Sequence, residues 1–546
     1  MAADLNMDAR LFSSSLGPAT NPFVGEVSDD FKIASNTTDG IISYAPAVDD
    51  RLMEVFARAN DPSDAIELRN LWLGRIDCES RDTIIHPDFA AMWRGSRVRR
   101  RFGPDEILNA RSTVSFVKEL FNSFFRDDLY GVLRSNKNIL LSSGSADERI
   151  FGLPETLKDC LRFALTRDWY GYSDSRGREP VREAIALYEN VRLNESKYSS
   201  ANVALTMGGT FAVNSLADFI LSEVAGSTSA ALCAIPNYPP LVQAIARRSE
   251  VRLVPLSSER GEVSLEPLRR ELRPDTPLVF LQTVINPTGA IVNEEDLAAL
   301  IESASPSTLI ILDECHECLG EPILRTSLRA SPNVIRVSSV SKAWSAPGLK
   351  IGWILADRAF IDAYYEYAST SYGGPPSIFY TLVEVLARME RWILQGLSEP
   401  SIAELREFES TYGLDLDLLR RAYASYRHDR IEKHRMARLL RDATVGGLAR
   451  SCAAVLVPRY SINVAVNFPP WDSSDSYSCF RDLLRHTSVA VFPGILTFCF
   501  SQNIVRITTA RNRDDLSQAI ERLQLYLASR DLGSTADGLV AQGVGR

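Results

Sequence analysis

Lysine and histidine are scarce in this chain: only eight of its 60 basic residues are lysine, and it has five histidines. Acidic residues outnumber basic ones, and the formal net charge is −9. A general role in binding nucleic acid or an anionic membrane is therefore not predicted. The scarcity of lysine also leaves few candidates for any reaction in which an amine acts as the nucleophile.

Long apolar runs are missing as well. No stretch reaches the roughly 20 apolar residues that a bilayer-spanning helix needs. Residues 1–20 lack an apolar segment behind a basic start, so no secretory signal is predicted. Cysteine is sparse, with eight residues scattered over 546. This usage is typical of reduced thiols, and we expect a cytoplasmic protein.

The length and the balance of 45% hydrophobic and 24% charged residues predict a globular protein of two or more domains. We interpret residues 1–137 as an N-terminal extension that is partly disordered and partly helical. Its first 50 residues are rich in Ser, Asn, Asp and Thr, whereas residues 115–129 carry apolar side chains at helical spacing. The length and aromatic content of the extension suggest a lid over an active site.

After residue 138, short apolar runs alternate with amphipathic segments. Such alternation predicts βαβ units and a mainly parallel sheet, and hence an α/β fold. Residues 374–442 are helical by pattern. Strand-like runs from residue 452 onward predict a second, smaller α/β domain, and residues 533–546 are predicted to be a disordered tail. The first set of apolar runs comprises residues 231–236, 251–256, 278–284, 309–313 and 334–341.

Lys342 is the most informative residue. It ends Ser339-Val340-Ser341-Lys342, directly behind an apolar run, and Pro347-Gly348-Leu349-Lys350 follows. A lysine at the mouth of a strand, flanked by small hydroxyl residues, is what a Schiff-base enzyme needs. Its amine must be reachable by an aldehyde and partly desolvated, so that it can lose its proton.

Two charged residues lie where a ligand could meet them. Asp313 ends the apolar run 309–313, and the carboxyl ends of strands face the crevice in which α/β folds bind ligands. Close to a pyridine nitrogen, this carboxylate would keep the nitrogen protonated. A helix N-cap or a surface ion pair is the alternative. Arg506, within the run 504–507, could bind a substrate carboxylate with two hydrogen bonds or form a structural ion pair.

Gly208-Gly209-Thr210 precedes an amphipathic helix. Glycines that open a helix expose backbone N–H groups at the positive end of its dipole, which suits a phosphate, although a plain helix start has the same pattern. Asn286, in Asn286-Pro287-Thr288-Gly289, could donate to a phenolate oxygen or belong to an ordinary turn.

Two tyrosines complete the set of candidates. Tyr238 follows a predicted strand and could stack on a planar cofactor, or it could be a core or turn residue. Tyr172 precedes a predicted helix, and its hydroxyl could reach a phosphate.

Together these motifs resemble the pyridoxal-phosphate-dependent class I/II aminotransferase family, over roughly residues 138–530. The resemblance implies fold type I: a large domain with a mainly parallel, seven-stranded sheet and a smaller α/β domain, to which this chain adds its helical N-terminal extension. The implied bounds are 138–170 for the opening segment of the small domain, 171–395 for the large cofactor-binding domain and 396–532 for the C-terminal small domain.

The resemblance also implies roles. Lys342 would form the Schiff base with pyridoxal 5'-phosphate, Asp313 would pair with the pyridine nitrogen, and Asn286 would contact the ring oxygen. Arg506, with Gly144, would bind the carboxylate of an amino acid substrate. It further implies a homodimer, since fold type I sites are built across a dimer interface. The remaining cofactor contacts would come from Gly208, Gly209, Thr210, Tyr238, Ser339, Ser341 and Lys350, with Tyr172 as a further catalytic residue.

This sequence departs from the family at two such positions. His316 stands where the family has a tyrosine that donates to the ring oxygen, and Lys350 stands where it has a phosphate-binding arginine. His316 can titrate near neutral pH, and Lys350 lacks the bidentate fork. Transamination is expected. Elimination, replacement or ring closure, for example on S-adenosylmethionine, stays open, as does decarboxylation of the aspartate 4-decarboxylase kind.

Two further interpretations concern metals and regulators. Cys315-His316-Glu317-Cys318 contains one C-x-x-C pair without a second pair of ligands, so a wall of the cofactor pocket is favoured and no metal site is predicted. A non-enzymatic regulator with an aminotransferase-like domain is the rival from another class. Residues 1–135 show no clear helix-turn-helix, which disfavours it.

Overall fold

The computed structural model describes residues 10–12, 43–44, 48–79, 101–224, 229–319, 325–450, 454–459, 462–468, 475–500 and 503–541. The chain forms two compact units. Unit 1 comprises Met1–Asp30, Asp147–Ala225 and Glu294–Arg438, and unit 2 comprises Phe31–Ala146, Gly226–Asn293 and Leu439–Arg546. Across the described ranges, no helix combines the length and the apolar character that crossing a membrane requires.

The strands are numbered in chain order: β1 (Ser43–Tyr44), β2 (Ile139–Leu140), β3 (Val203–Thr206), β4 (Ala231–Ile235), β5 (Val251–Pro255), β6 (Ser258–Glu259), β7 (Glu262–Val263), β8 (Leu278–Gln282), β9 (Ile291–Val292), β10 (Leu309–Asp313), β11 (Val334–Ser339), β12 (Gly352–Leu355), β13 (Ala454–Leu456), β14 (Asn463–Asn467), β15 (Val489–Ala490), β16 (Phe492–Pro493) and β17 (Ile504–Thr508).

The α-helices are α1 (Asp50–Arg58), α2 (Ala65–Glu79), α3 (Pro104–Leu108), α4 (Arg111–Ser123), α5 (Glu148–Phe151), α6 (Glu155–Thr166), α7 (Glu179–Leu193), α8 (Gly209–Phe219), α9 (Pro239–Ala246), α10 (Glu266–Glu271), α11 (Glu294–Ser303), α12 (Val340–Ala343), α13 (Arg358–Ser371), α14 (Tyr380–Leu394), α15 (Ile402–Leu405), α16 (Leu416–Ala449), α17 (Ser476–Thr487) and α18 (Arg513–Ala541). Single turns of 3₁₀-helix occur between them, and π-helical segments continue α4 and α8 as Phe124–Val132 and Ile220–Val224.

Unit 1 contains the strand order β3-β12-β11-β10. β10 and β11 run parallel, whereas β12 is antiparallel to both of its neighbours. Every residue of β3, β11 and β12 is buried, which explains why these strands read as apolar runs rather than as an alternating pattern. The carboxyl ends of β10 and β11 carry the residues that the sequence marks as a candidate site.

Unit 2 contains the parallel strand order β8-β4-β5. A separate antiparallel sheet has the order β13-β14-β17-β16, and β2 pairs with β15. The extension helices belong to this unit, where α4 packs against α2 and α9. Two buried ion pairs, Arg75–Asp475 and Arg481–Asp77, both at 2.8 Å, join the extension to the start and middle of α17.

The observed architecture is α/β, with a mainly parallel central sheet and helices, as the sequence predicts. All five apolar runs of the first set form strands, namely β4, β5, β8, β10 and β11. The predicted helix over residues 115–129 is present, but it begins earlier, at Arg111, and becomes π-helical at Phe124. The predicted domain bounds stay predictions.

Candidate active site

In unit 1, Asp313 occupies the last position of β10, opposite Val337 of β11. Its side chain is 5% exposed, and its Oδ1 accepts the backbone N–H of Cys315 at 3.1 Å. The hydrogen bond closes a tight turn after the strand and fixes the carboxylate at the sheet edge. A buried carboxylate at this edge suits a protonated ring nitrogen as its partner.

Directly behind Asp313 lies a buried ionic cluster that sequence analysis missed. Glu314, which is fully buried, accepts from Arg329 Nη1 at 2.6 Å and from Arg336 Nε at 2.8 Å. Although burial opposes ionisation, these arginines lower the pKa of Glu314 to about 2. The signal in the sequence was Arg336, a charged residue inside an apolar run. The cluster comprises Glu189, Arg192, Glu294, Glu314, Glu317, Arg325, Arg329 and Arg336.

The glycine turn before α8 is shaped by two close contacts. Gly208 has φ +85° and occupies the N-cap of α8, and a Cβ on Gly209 would lie 2.7 Å from Cys315 Sγ. A Cβ on Gly352 would lie 2.6 Å from the Ser338 carbonyl oxygen and 3.1 Å from Gly208 Cα. Only glycine therefore fits this crossing, which leaves the first N–H groups of α8 beside the end of β11. Thr210 follows, and it is exposed.

The Cys315 thiol lies directly beside Gly209. Burial raises its pKa well above the usual value, and the Asp313 carboxylate raises it further. The Cys318 thiol also has a raised pKa through burial, and both residues are free cysteines. Contact with Gly209 supports the interpretation of Cys315 as a pocket wall.

Lys342 lies in α12, a single turn that begins immediately after β11. Ser339 is the N-cap residue and is 5% exposed, whereas Ser341 and Lys342 are half-buried. This placement shields the lysine side chain partly from water, as the Schiff-base interpretation requires. Lys350 is exposed and has φ +55°, and a Cβ on Gly208 would lie 3.7 Å from its backbone carbonyl carbon.

Trp344, two residues beyond Lys342, anchors this turn. Its indole Nε1 donates to the Tyr426 hydroxyl at 3.2 Å, and that hydroxyl donates to Glu390 Oε1 at 2.6 Å. The buried chain of contacts links α12 to α14 and α16. The sequence analysis gives Trp344 no role, although its position two residues after Lys342 is a signal that could have found it.

His316 and Tyr172 complete the predicted residues of unit 1. His316 lies in the turn after Asp313 and is half-buried; its carbonyl oxygen accepts the N–H of Leu319 at 3.2 Å. The Tyr172 side chain is fully exposed. Asp313, Ser339, Lys342 and the Gly208 turn are thus brought to one edge of the unit 1 strands, whereas Tyr172 is directed to solvent.

In unit 2, Arg506 on β17 is the centre of a second group. Its Nη1 donates to Asn286 Oδ1 at 2.9 Å and its Nη2 to the Ser142 carbonyl oxygen at 2.8 Å. Among the residues that the structure describes, its buried Nε has no hydrogen-bond partner. Burial lowers the pKa of Arg506 to about 10, and the guanidinium stays charged at neutral pH. A carboxylate is the partner that such a fork accepts.

Gly144 approaches this guanidinium so closely that a Cβ would lie 2.7 Å from Arg506 Nη2, and its φ is +63°. Its N–H donates to Thr508 Oγ1 at 2.9 Å. Tyr238 is half-buried at the N-cap of α9. Burial raises its pKa, and the neighbouring charge of Arg506 acts in the opposite direction. Gly144, Tyr238, Asn286 and Arg506 therefore form one neighbourhood in unit 2.

Phe492 was missed by sequence analysis and belongs to this neighbourhood. It pairs with Arg506 across β16 and β17, and the guanidinium carbon lies 4.1 Å from the centroid of its ring. Such a distance is typical of a cation–π contact. Its position just before Pro493-Gly494 was the available signal.

The sequence of this chain is similar to those of known proteins. Residues 136–394 match the family model "Aminotransferase class I and II". A probable aspartate/prephenate aminotransferase of Thermus aquaticus is 27% identical over 71% of this chain and 91% of its own length. The valine–pyruvate aminotransferase of Mycobacterium tuberculosis is 26% identical over 71% of this chain and 91% of its own length.

Solved structures show the fold. A Thermus thermophilus aspartate aminotransferase double mutant has a TM-score of 0.58 at 22% identity, covering 75% of this chain and 94% of that chain. The aromatic aminotransferase of Pyrococcus horikoshii has a TM-score of 0.59 at 18% identity, covering 77% of this chain and 100% of that chain. Over residues 136–394, this chain is thus similar to the class I and II aminotransferases, a family of fold type I transferases that depend on pyridoxal 5'-phosphate.

Proposed function

We propose that this enzyme is an aminotransferase that takes the amino group from an α-amino acid and passes it to a keto acid. The observation that carries the proposal is Arg506. Its guanidinium is held by Asn286 and Ser142, while its buried Nε has no hydrogen-bond partner in the part of the chain that the structure describes. A fork prepared in this way suits the α-carboxylate that amino acid and keto acid share.

The residues of unit 1 fit the cofactor of the family. The glycine turn before α8 offers helix N–H groups to a phosphate, with hydroxyls from Thr210, Ser339 and Ser341 as further donors. Asp313 suits a protonated pyridine nitrogen. When bound, pyridoxal 5'-phosphate supplies an electron sink for the charge that develops at the substrate α-carbon.

Each protein group has a separate task in this proposal. Lys342 holds the cofactor covalently through Nζ and then, as a free amine, moves the proton from the substrate α-carbon. Asp313 keeps the proton on the ring nitrogen. Asn286 donates from Nδ2 to the ring oxygen, since its Oδ1 already accepts from Arg506. Arg506 orients the substrate through its carboxylate, and Tyr238 stacks on the ring.

His316 favours a second candidate function. This half-buried histidine replaces the tyrosine expected to donate to the ring oxygen, and Lys350 replaces an arginine at the phosphate. A histidine in place of this tyrosine changes the hydrogen bond to the ring oxygen, and with it the reactivity of the cofactor. Elimination, replacement or cyclisation, for example on S-adenosylmethionine, or decarboxylation of the aspartate 4-decarboxylase kind is then the alternative outcome.

The test is a half-reaction of the purified holoenzyme with a panel of amino acids and S-adenosylmethionine, in the absence of any keto acid. Loss of the cofactor's visible absorbance together with one equivalent of keto acid supports transamination. Repeated release of a fragment, with the absorbance restored after each turnover, contradicts it and supports the second candidate.

We propose that the enzyme is a homodimer. The neighbouring exposed side chains of Tyr170 and Tyr172 support the proposal, because a group of aromatic side chains directed to solvent suits contact with a second copy. Light scattering during size-exclusion chromatography measures the mass of the enzyme in solution. A monomeric enzyme that is fully active would refute the proposal, and Tyr172→Phe tests whether the hydroxyl contributes to cofactor affinity.

A further inference from the structure

Helix α4 of the N-terminal extension presents the half-buried side chain of Phe121 to two rings of the unit 2 neighbourhood. The Phe121 ring lies 5.7 Å from the Tyr238 ring at an interplanar angle of 77°. It lies 6.1 Å from the Phe492 ring at 68°. Both are edge-to-face arrangements, which fix the orientation of aromatic rings as well as their separation.

The two contacted rings lead directly to the proposed substrate site. Tyr238 is the ring proposed to stack on the cofactor. Phe492 carries the guanidinium of Arg506 at 4.1 Å on its face. Phe121 therefore contacts Tyr238, which would hold the cofactor. It also contacts Phe492, which supports Arg506, the residue that would hold the substrate.

The segment that carries Phe121 is itself held firmly within unit 2. Arg111 Nε, in the first turn of α4, donates to the Ala246 carbonyl oxygen at 2.7 Å. After α4, Phe124 packs against Phe492 at 5.3 Å and against Phe480 at 4.7 Å. The Tyr477 hydroxyl donates to Asp128 Oδ2 at 2.8 Å. Contacts on both sides of Phe121 thus limit the positions that its ring can take.

We infer that Phe121 is a positioning residue for the reaction and that the N-terminal extension is part of the substrate-binding structure. The inference rests on the proposed roles of Tyr238 and Arg506. Phe121 acts through these groups: it keeps the Tyr238 ring at one angle and holds Phe492 under the guanidinium. Without the Phe121 ring, Tyr238 and Phe492 are held less firmly. Carboxylate binding then weakens while the fold remains.

The experiment compares Phe121→Leu, Phe121→Tyr and Phe102→Leu in the full-length holoenzyme. Phe102 is the matched control, because it is a half-buried aromatic residue of the same extension whose ring packs on Phe56 at 5.7 Å. Calorimetry measures the binding of two non-reacting carboxylates, propanoate and 3-phenylpropanoate. Steady-state kinetics with the best amino acid then separate KM from kcat.

We expect Phe121→Leu to weaken carboxylate binding by about three- to tenfold, the range for losing one or two aromatic pairs. KM should rise by the same factor with kcat within about twofold, whereas Phe121→Tyr, which keeps the ring, should restore binding. The control Phe102→Leu should bind both probes like the parent enzyme. If Phe121→Leu does not fold, Phe121→Met takes its place.

Unchanged binding in Phe121→Leu would overturn the inference, and so would equal weakening in Phe121→Leu and Phe102→Leu, which would mean a general structural role. Binding of neither probe to the parent enzyme would overturn it too. The proposed function fails separately: if the parent enzyme transfers no amino group but binds a probe in a Phe121-dependent way, the positioning role stands.

Discussion

Arg506 Nη1 donates to Asn286 Oδ1 at 2.9 Å, and this contact determines which end of the asparagine side chain remains for a ligand. A guanidinium can only donate, so the contacted atom must be the amide oxygen. The Nδ2 group is then the end that donates, and its proposed acceptor is the ring oxygen of the cofactor. One hydrogen bond thus orients the proposed carboxylate-binding and ring-binding residues together.

Replacing Arg506 with lysine should raise KM for the amino acid by roughly 10- to 100-fold, because the positive charge remains but the bidentate fork is lost. Cofactor affinity should fall by a smaller factor, because the lysine amine can still donate to Asn286 Oδ1. Steady-state kinetics and cofactor titration measure the two effects.

Arg522→Lys is the matched control for this prediction. Arg522 belongs to the same unit and also donates to backbone carbonyl oxygens, those of Lys137 and Thr487, but it has no role in the proposed site. An Arg506→Lys enzyme with the KM of the parent would remove Arg506 from substrate binding.

Replacing Lys342 with alanine should abolish covalent attachment of the cofactor. Borohydride treatment of the parent enzyme should add the mass of the reduced cofactor to the peptide that contains Lys342. Lys342→Ala should gain no such mass and should give no half-reaction. The exposed Lys197, replaced by alanine, should behave like the parent. An adduct that persists in Lys342→Ala would assign the attachment to another lysine.

Replacing Gly209 with alanine should weaken cofactor binding about 10-fold or more, because the new Cβ would lie 2.7 Å from Cys315 Sγ and the turn must shift. Cys315→Ala should restore binding in the double variant, since it removes the sulfur that obstructs the methyl group. Equilibrium dialysis of the cofactor measures all three affinities.

Gly348→Ala controls for the loss of a glycine, because a Cβ there would meet none of the described residues within 4 Å. If the double variant binds no better than Gly209→Ala, the weakening has a source other than the contact with Cys315.

Glu314 should give stability a defined dependence on pH. Its pKa in the folded chain is about 2, below the usual value of 4.5, so the unfolded chain binds the proton more readily. The contribution, on the order of 3 kcal/mol, is complete above about pH 4.5 and is lost as the pH falls toward 2. Glu314→Gln should lower the urea midpoint at pH 7, and its difference from the parent should shrink over this window.

Glu302→Gln, at an exposed position of α11, should leave the urea midpoint unchanged at each pH. A difference between Glu314→Gln and the parent enzyme that stays constant from pH 7 to pH 2.5 would contradict the assignment of this window to Glu314.

Much of unit 1 could be predicted from sequence because its information is local. The run Leu309–Asp313 is apolar up to its last residue, which is a carboxylate, and the structure makes it a strand with the same bounds. The position of Lys342 after β11 follows from the same kind of pattern. Glycines at 208 and 209 mark the start of α8, since a side chain at either position would meet strain or Cys315.

The missed residues depend on contacts between distant parts of the chain. Phe121 and Phe492 are 371 positions apart, and no periodicity connects them. Glu314 and Glu189 share Arg336 although they come from different elements. Tyr172 differs from these residues, because its motif is visible in the sequence. In the single chain, however, its ring lies in solvent.

The ionic cluster behind Asp313 restricts how this chain can change. Its four arginines and four glutamates are largely buried, and single replacement of a member leaves an opposite charge without its counterpart. Tolerated substitutions should therefore come in pairs that remove both charges or exchange them. Variation among close relatives should show these eight positions changing as a group, with Asp313 constant beside them.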